Sequence, residues 1–384
     1  MLKNSNNRKE GGSKMIAKSN LTMPCHWNKE ILEIISKQES KNGVFIREMY
    51  GVIPKSPLGH GRNPSVLKSV KMKEIYECRG LLKEKKINFA YLLNSPLTGK
   101  EIKKNLLSIK QHINWILNKL HPESLIIASL EIMKIVREIS DIPITISTIA
   151  RIQKKDDLKK YLHIKPSKIV VQHDVNRNFK DLKDLIKFAQ KFQIEIEVML
   201  TESCRRGCLK MKGHYKTVGK GMNDVSFHRS CNTKKINSPE EFLLANFIRP
   251  EDLIFYENLG IKNFKITGRS KKPSWLPQVS SAYLNRKFNG NLIRLLGIDP
   301  CLNAEEWIYL SNSSLQGFLD NFPKTGNHNL EKKYCKKWIK KLYNEGNFWI
   351  NGIEYKNAKE GLVCKSKVKE IPQIKESYFN SNEN

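Results

Sequence analysis

The sequence predicts a (β/α)8 barrel with a C-terminal α/β extension, on three observations. Short apolar, β-branched runs recur eight times, and amphipathic stretches of helical period separate most of them. Polar and charged residues gather just after the runs, where the loops of such a barrel carry their chemistry. A doubly wound open sheet normally opens with a Gly-rich turn, and no GxGxxG or Walker motif is present.

The first run is 43–48 (GVFIRE), followed by the loop YGVIPKSPLGHGRNP and a helix over about 65–85. The second, 87–93 (INFAYLL), leads through NSPLTG into a long helix. The third and fourth, 125–128 and 144–147, bracket the helix EIMKIVREIS; the fifth is 168–172 (KIVVQ). The helix FKDLKDLIKFAQKF delivers the sixth run, 194–200 (IEIEVML). The seventh is the short 245–248 (ANFI). PEDLIFYENLG then reads as a helix, with Pro at its first position and Gly at its end, that feeds the eighth run, 263–267. The expected organisation is a leader over 1–40 (disordered, then helical) and the barrel over 41–298, with a cysteine-bearing insertion at 201–237. The extension follows over 299–370, with a disordered tail over 371–384.

With 384 residues, 39% of them hydrophobic, the chain can bury one large core. It lacks the run of about 18 apolar residues a membrane span requires, and its polar start has no secretion signal, so the expected address is the cytoplasm. Eight cysteines, clustered in part, point in such a setting to metal or redox chemistry rather than disulfides. The net charge of +30, from 68 basic and 38 acidic residues, suits a polyanionic partner such as RNA. A compositional bias towards Lys, Asn and Ile accounts for the same excess, because the basic residues are spread along the chain.

The positions after the runs give the candidate site. Arg62 lies in the first loop; QHDVNR after the fifth run supplies Asp174, Asn176 and Arg177. TESCRRGC after the sixth supplies Glu202, Cys204 and Cys208. Arg249 follows the seventh, Lys265 lies in the eighth, and Arg269 follows it. These cations suit an anionic small molecule or an RNA backbone, each charge-assisted contact contributing roughly 1.5–3 kcal/mol. The alternative is that Arg249 and Arg269 brace the barrel rim. Glu202, His214 and Asp174 are the candidate proton-transfer groups.

Cys204 and Cys208 form a CxxxC pair, and Cys231 follows in the same insertion. Such thiols can share a metal or an iron–sulfur cluster if a later one folds over them, and Cys301 and Cys335 are the candidates. Zinc favours CxxC knuckles, which are absent, and Met211 stands where a radical-SAM triplet would need its third cysteine.

These residues resemble a known family. VMLTESCRRGCLKMKGHY is similar to the VNEGCxxxCPFRxxHY segment of the collagenase-like peptidase family (unassigned peptidase family thirty-two), and QHDVNRNF to its DxNRDF turn. NFIRPEDLIFYENLGIKNFKITGR is very close to its WIRPEDLxxYExxGIDxFKIxGR block. IYLSNSSLQGFLDNF resembles its IDNxxLDGFLxxF region. The resemblance spans roughly 43–345, with departures at Thr201, Ser203 and Leu209, where Asn, Gly and Pro are usual. It implies a barrel fold and, in several branches, a four-iron (4Fe–4S) cluster on four cysteines. It also implies oxygen-independent hydroxylation of RNA or a small molecule, with prephenate as co-substrate. A peptidase, and a non-catalytic barrel that binds RNA or a partner protein, are the alternatives.

Overall fold

The computed structural model describes residues 18–40, 42–53, 56–58, 69–95, 99–220, 222, 225–296, 308–350, 355–358 and 361–364. Eight parallel strands close into a ring: β1 (Ser19–Pro24), β2 (Val44–Gly51), β3 (Asn88–Leu93), β4 (Ser124–Ile127), β5 (Ile144–Ile146), β6 (Lys168–Val170), β7 (Glu195–Met199) and β8 (Asn263–Lys265). β1 pairs with both β2 and β8, which leaves no edge. Around the ring run α1 (Lys29–Ser36), α2 (Met72–Glu84), α3 (Gly99–Lys104), α4 (Leu106–Trp115), α5 (Leu130–Ile139), α6 (Lys155–Lys159) and α7 (Phe179–Gln190). After β7 come α8 (Met211–Gly219), α9 (Val225–Asn237), α10 (Glu240–Leu244) and α11 (Leu253–Glu257), and after β8 comes α12 (Leu276–Leu284). The architecture is the (β/α)8 barrel that the sequence predicts.

The assignment of strands differs at two places. The barrel starts inside the expected leader, at Ser19, and 245–248 is not a strand. The leader's SNLTMP is too short for its alternation to stand out, yet Leu21 and Met23 are fully buried and the segment pairs along its length with β2. In ANFI, Ala245, Phe247 and Ile248 are buried, so the run looks like a strand by composition. Its Ile248 N–H instead bonds the Leu200 carbonyl as buried coil, and Pro250 restrains the residue before it. Apolar composition reports burial, not pairing.

The barrel floor is polar. Lys168 Nζ lies 2.9 Å from Glu48 Oε1 and 3.3 Å from Glu197 Oε1. Thr22 Oγ1 donates to Glu197 at 2.5 Å, and Ser124 Oγ to Glu48 at 3.3 Å. Burial opposes the charge on Lys168, but the two carboxylates outweigh it and push its pKa up. Burial likewise opposes the charge on Glu197, and Lys168 and Lys265 outweigh it and hold its pKa down.

Beyond the barrel, β9 (Ile308–Leu310) pairs antiparallel with β10 (Phe348–Ile350), α13 (His328–Asn344) lies between them in sequence, and β11 (Tyr355–Ala358) and β12 (Gly361–Cys364) form a hairpin. The expected disordered ends, 1–17 and 371–384, lie outside the described residues. Among the described residues no helix is long and apolar enough to cross a membrane.

Candidate active site

The carboxyl ends of the strands surround a cavity of about 630 Å³. Tyr50, Leu92, Ile126, Val170, Met199 and Lys265 reach it from the strands, so its lower part is largely apolar. The wall is the segment that leaves β7: Cys204 and Cys208 from the loop, His214 from α8, and Cys231 from α9 all line it. His328, the first residue of α13, lines it as well. The His214 ring stacks on Phe227 (centroids 4.9 Å apart, planes at 7°) and meets His228 edge-on at 5.1 Å.

The loop between Cys204 and Cys208 is pinned at every residue. Glu202 Oε1 accepts from the Cys204 N–H at 2.9 Å, and Lys235 donates to the Ser203 carbonyl. Arg205 pairs through two nitrogens with Glu241 (3.0 and 3.2 Å), and Arg206 lies 2.6 Å from Glu331 of α13. Gly207, at φ 61°, donates its N–H to Asp174 Oδ1 at 3.1 Å. The left-handed turn that brings the second cysteine back to the cavity is one that glycine adopts without steric cost. Burial, then Glu202 and Cys231, raise the Cys204 pKa well above its ordinary value against the pull of Lys235. The free thiol is therefore protonated at neutral pH, and a metal centre would have to displace that proton. No three His, Cys, Asp or Glu side chains among the described residues are grouped so as to hold a single metal ion.

Among the described residues lining the cavity, Glu202 is the one carboxylate, set against Lys210, Lys234, Lys235, Lys265 and Arg269 and the paired Arg205 and Arg206. Lys265 ends β8, buried, with Nζ 3.8 Å from the centre of the Tyr50 ring and in a long ion pair, 3.5 Å, with Glu197 Oε2. Burial lowers its pKa, and Glu197 and Glu48 resist. Arg269 follows Gly268, whose φ is 134° and where an added Cβ would lie 2.5 Å from the Trp275 ring. Only glycine passes that point, so the turn presenting Arg269 depends on it.

The other expected cations are elsewhere. Arg177 is 1% exposed, donates to the carbonyls of Leu243 and Phe247, and lies over the rings of Phe247, Phe318 and Phe322. Arg249 chelates Asp252 (2.7 and 2.8 Å) and bonds the Asn312 carbonyl. Both brace the joint between barrel and extension, which corrects their expected place at the mouth. Asn176 is equally structural, donating to the carbonyls of Met199 and Asn246. Asp174 does not line the cavity but supports the thiol loop through Gly207. Cys335 is fully buried in α13 beside Arg177 and Glu331, away from the other thiols, so it is not the expected fourth ligand. Burial pushes its pKa up to about 12. Arg62 and Cys301 lie outside the described residues.

Sequence reasoning missed Arg206, Glu331, Lys235 and His328. One signal was present: α13 reads HNLEKKYCKKWIKKLYN, and Glu331 is its lone acid. That acid falls on the stripe shared with Cys335, Ile339 and Leu342, the buried face of the helix.

No protein-family model matches the chain. Among curated proteins it is similar to an uncharacterized protease of Methanocaldococcus jannaschii, 23% identical over 323 residues, which cover 82% of this chain and 94% of the relative. Among solved structures, the U32 peptidase Mk0906 matches with a TM-score of 0.46 at 11% identity, over 68% of this chain and 97% of that one. An HpcH/HpaI aldolase from Desulfitobacterium hafniense DCB-2 matches with a TM-score of 0.30 at 11% identity, over 59% of this chain and 93% of that one.

Proposed function

We propose that the chain is an enzyme of the collagenase-like peptidase family in which Cys204, Cys208 and Cys231 hold an iron–sulfur cluster over the barrel mouth, and which modifies an anionic substrate without molecular oxygen. The observation that carries this reading is that three thiols line one cavity whose other charged lining, among the described residues, is cationic apart from Glu202. Similarity to the M. jannaschii protein along nearly its whole length supports the family. A cluster has several iron atoms to ligate, which suits thiols spread along a wall better than a lone ion would. Its negative charge would be offset by Lys234, Lys235, Lys265 and Arg269. Cys301, or the substrate itself, is left to complete the ligand set.

When bound, the cluster supplies one-electron redox chemistry. The chain's own residues do the rest. Lys265 and Arg269 bind the anionic group of the substrate, whether the carboxylate of a co-substrate such as prephenate or an RNA phosphate. Leu92, Ile126 and Val170 keep water from the lower cavity, which strengthens those charge contacts. Glu202 and His214, both lining the cavity, accept and return protons.

Protein purified without oxygen should contain iron and acid-labile sulfide and absorb broadly near ~400 nm, a colour that air bleaches. Colourless, iron-free protein under those conditions contradicts the reading. The name of the M. jannaschii relative favours a peptidase as the second reading. Hydrolysis of gelatin that survives removal of iron would establish it in place of the first.

A further inference from the structure

Two arginines stand between the two cysteines of the loop, and the carboxylates of two different helices hold their side chains. Arg205 is hydrogen-bonded through two nitrogens to Glu241 of α10, and Arg206 makes a close ion-pair contact with Glu331 of α13. The two ties are unequal. The Arg205 side chain keeps 20% of its exposure, so it can find water if its partner is lost. Arg206 keeps 8% and Glu331 none. Water replaces such partners poorly there, and an orphaned charge in such a place drives its segment out of position. α13 also contributes His328 to the cavity, one turn before Glu331.

We infer that Glu331 is a positioning residue: through Arg206 it lets the C-terminal helix α13 set where Cys204 and Cys208 stand over the barrel mouth. The extension is then part of the site. Removing the carboxylate frees Arg206 to turn towards solvent, and the backbone between the two cysteines moves with it. Lys235 at Ser203 and Asp174 at Gly207 still hold the ends of the loop, so the change is local. The inference concerns the same loop as the proposed function but does not depend on what the thiols hold. It can therefore fail while the iron analysis succeeds, and the reverse.

The test is timed alkylation of the reduced, metal-free, full-length protein with iodoacetamide, read cysteine by cysteine by peptide mass spectrometry. Cys78, fully buried on the inner face of α2, is the internal control for global opening. Glu331→Gln should raise the rates at Cys204 and Cys208 about tenfold with Cys78 unchanged, because the loop opens without the fold. The double variant Arg206→Met with Glu331→Met leaves no orphaned charge and should keep the melting temperature while still labelling the loop faster. Lys332→Ala, which breaks a more exposed contact to Glu240, should leave all the rates as they are. Two results overturn the inference. One is wild-type labelling at Cys204 and Cys208 in both Glu331 variants. The other is labelling of Cys78 that rises in step with the loop, which would make the pair a support of the whole fold.

Discussion

The barrel floor and the barrel rim are both crowded with charge, and they differ in how that charge is balanced. On the floor, Lys168 and Lys265 face Glu48 and Glu197 within 3.5 Å and cancel. At the rim, Glu202 is the one carboxylate among the described lining residues, and beside the paired Arg205 and Arg206 stand further cations such as Lys210 and Lys234. Buried charge that is internally neutral serves the structure, whereas an unbalanced excess in a cavity is available to a ligand. Lys265 joins the two regions, since it is counted on the floor but reaches the cavity.

The floor should fail most visibly when its charges are left unbalanced. Lys168→Met leaves two buried carboxylates facing Lys265 alone and should cost about 3–5 kcal/mol in chemical denaturation. A cost under about 1 kcal/mol would mean the floor is wetter than its burial implies. Arg177→Ala comes next. It removes charge-assisted bonds to two carbonyls and three ring contacts, and should cost about 3–4 kcal/mol while leaving anion affinity in the cavity unchanged. Loss of anion binding at full stability would return Arg177 to the mouth.

A pH titration sharpens the contrast at His26, which bonds the Gly268 carbonyl. His26 has a buried Nδ1 without a partner, and burial lowers its pKa to about 4, with the Gly268 carbonyl opposing and Arg269 assisting. Such a base binds fewer protons folded than unfolded between its two pKa values. Its contribution is complete above pH 6.5 and is lost as the pH falls towards 4. The loss is at most about 3 kcal/mol, and His26→Phe should flatten that limb of the stability profile. The smallest effect on stability belongs to the rim. Lys234→Ala should shift it by under about 0.5 kcal/mol while weakening the binding of a small dicarboxylate, measured by calorimetry at low salt.

Much of the barrel was legible because most of its strands are continuous apolar runs bounded by helices, the signature of parallel strands buried on both faces. β1 was hidden because a six-residue strand behind a polar leader carries little periodic signal. The thiol loop was legible because chemistry-bearing residue types clustered at a strand end. The arginines were not. Arg177 and Arg269 occupy the same kind of position after a strand, and what separates them is three phenylalanine rings, two of them from the distant extension. Such long-range packing leaves no mark in local sequence. The same holds for the pairing of Arg206 with Glu331, although the lone acid on the buried stripe of a lysine-rich helix hinted at a partner.

The central claim is that three particular thiols act together and that the buried one in α13 does not. Iron should be counted per chain after anaerobic reconstitution of the wild type and of Cys204→Ser, Cys208→Ser, Cys231→Ser and Cys335→Ser. Each of the first three variants should lose most of the bound iron, and Cys335→Ser should keep it. Full iron in any one of the three, or its loss with Cys335→Ser in a protein that still melts as the wild type does, would contradict it.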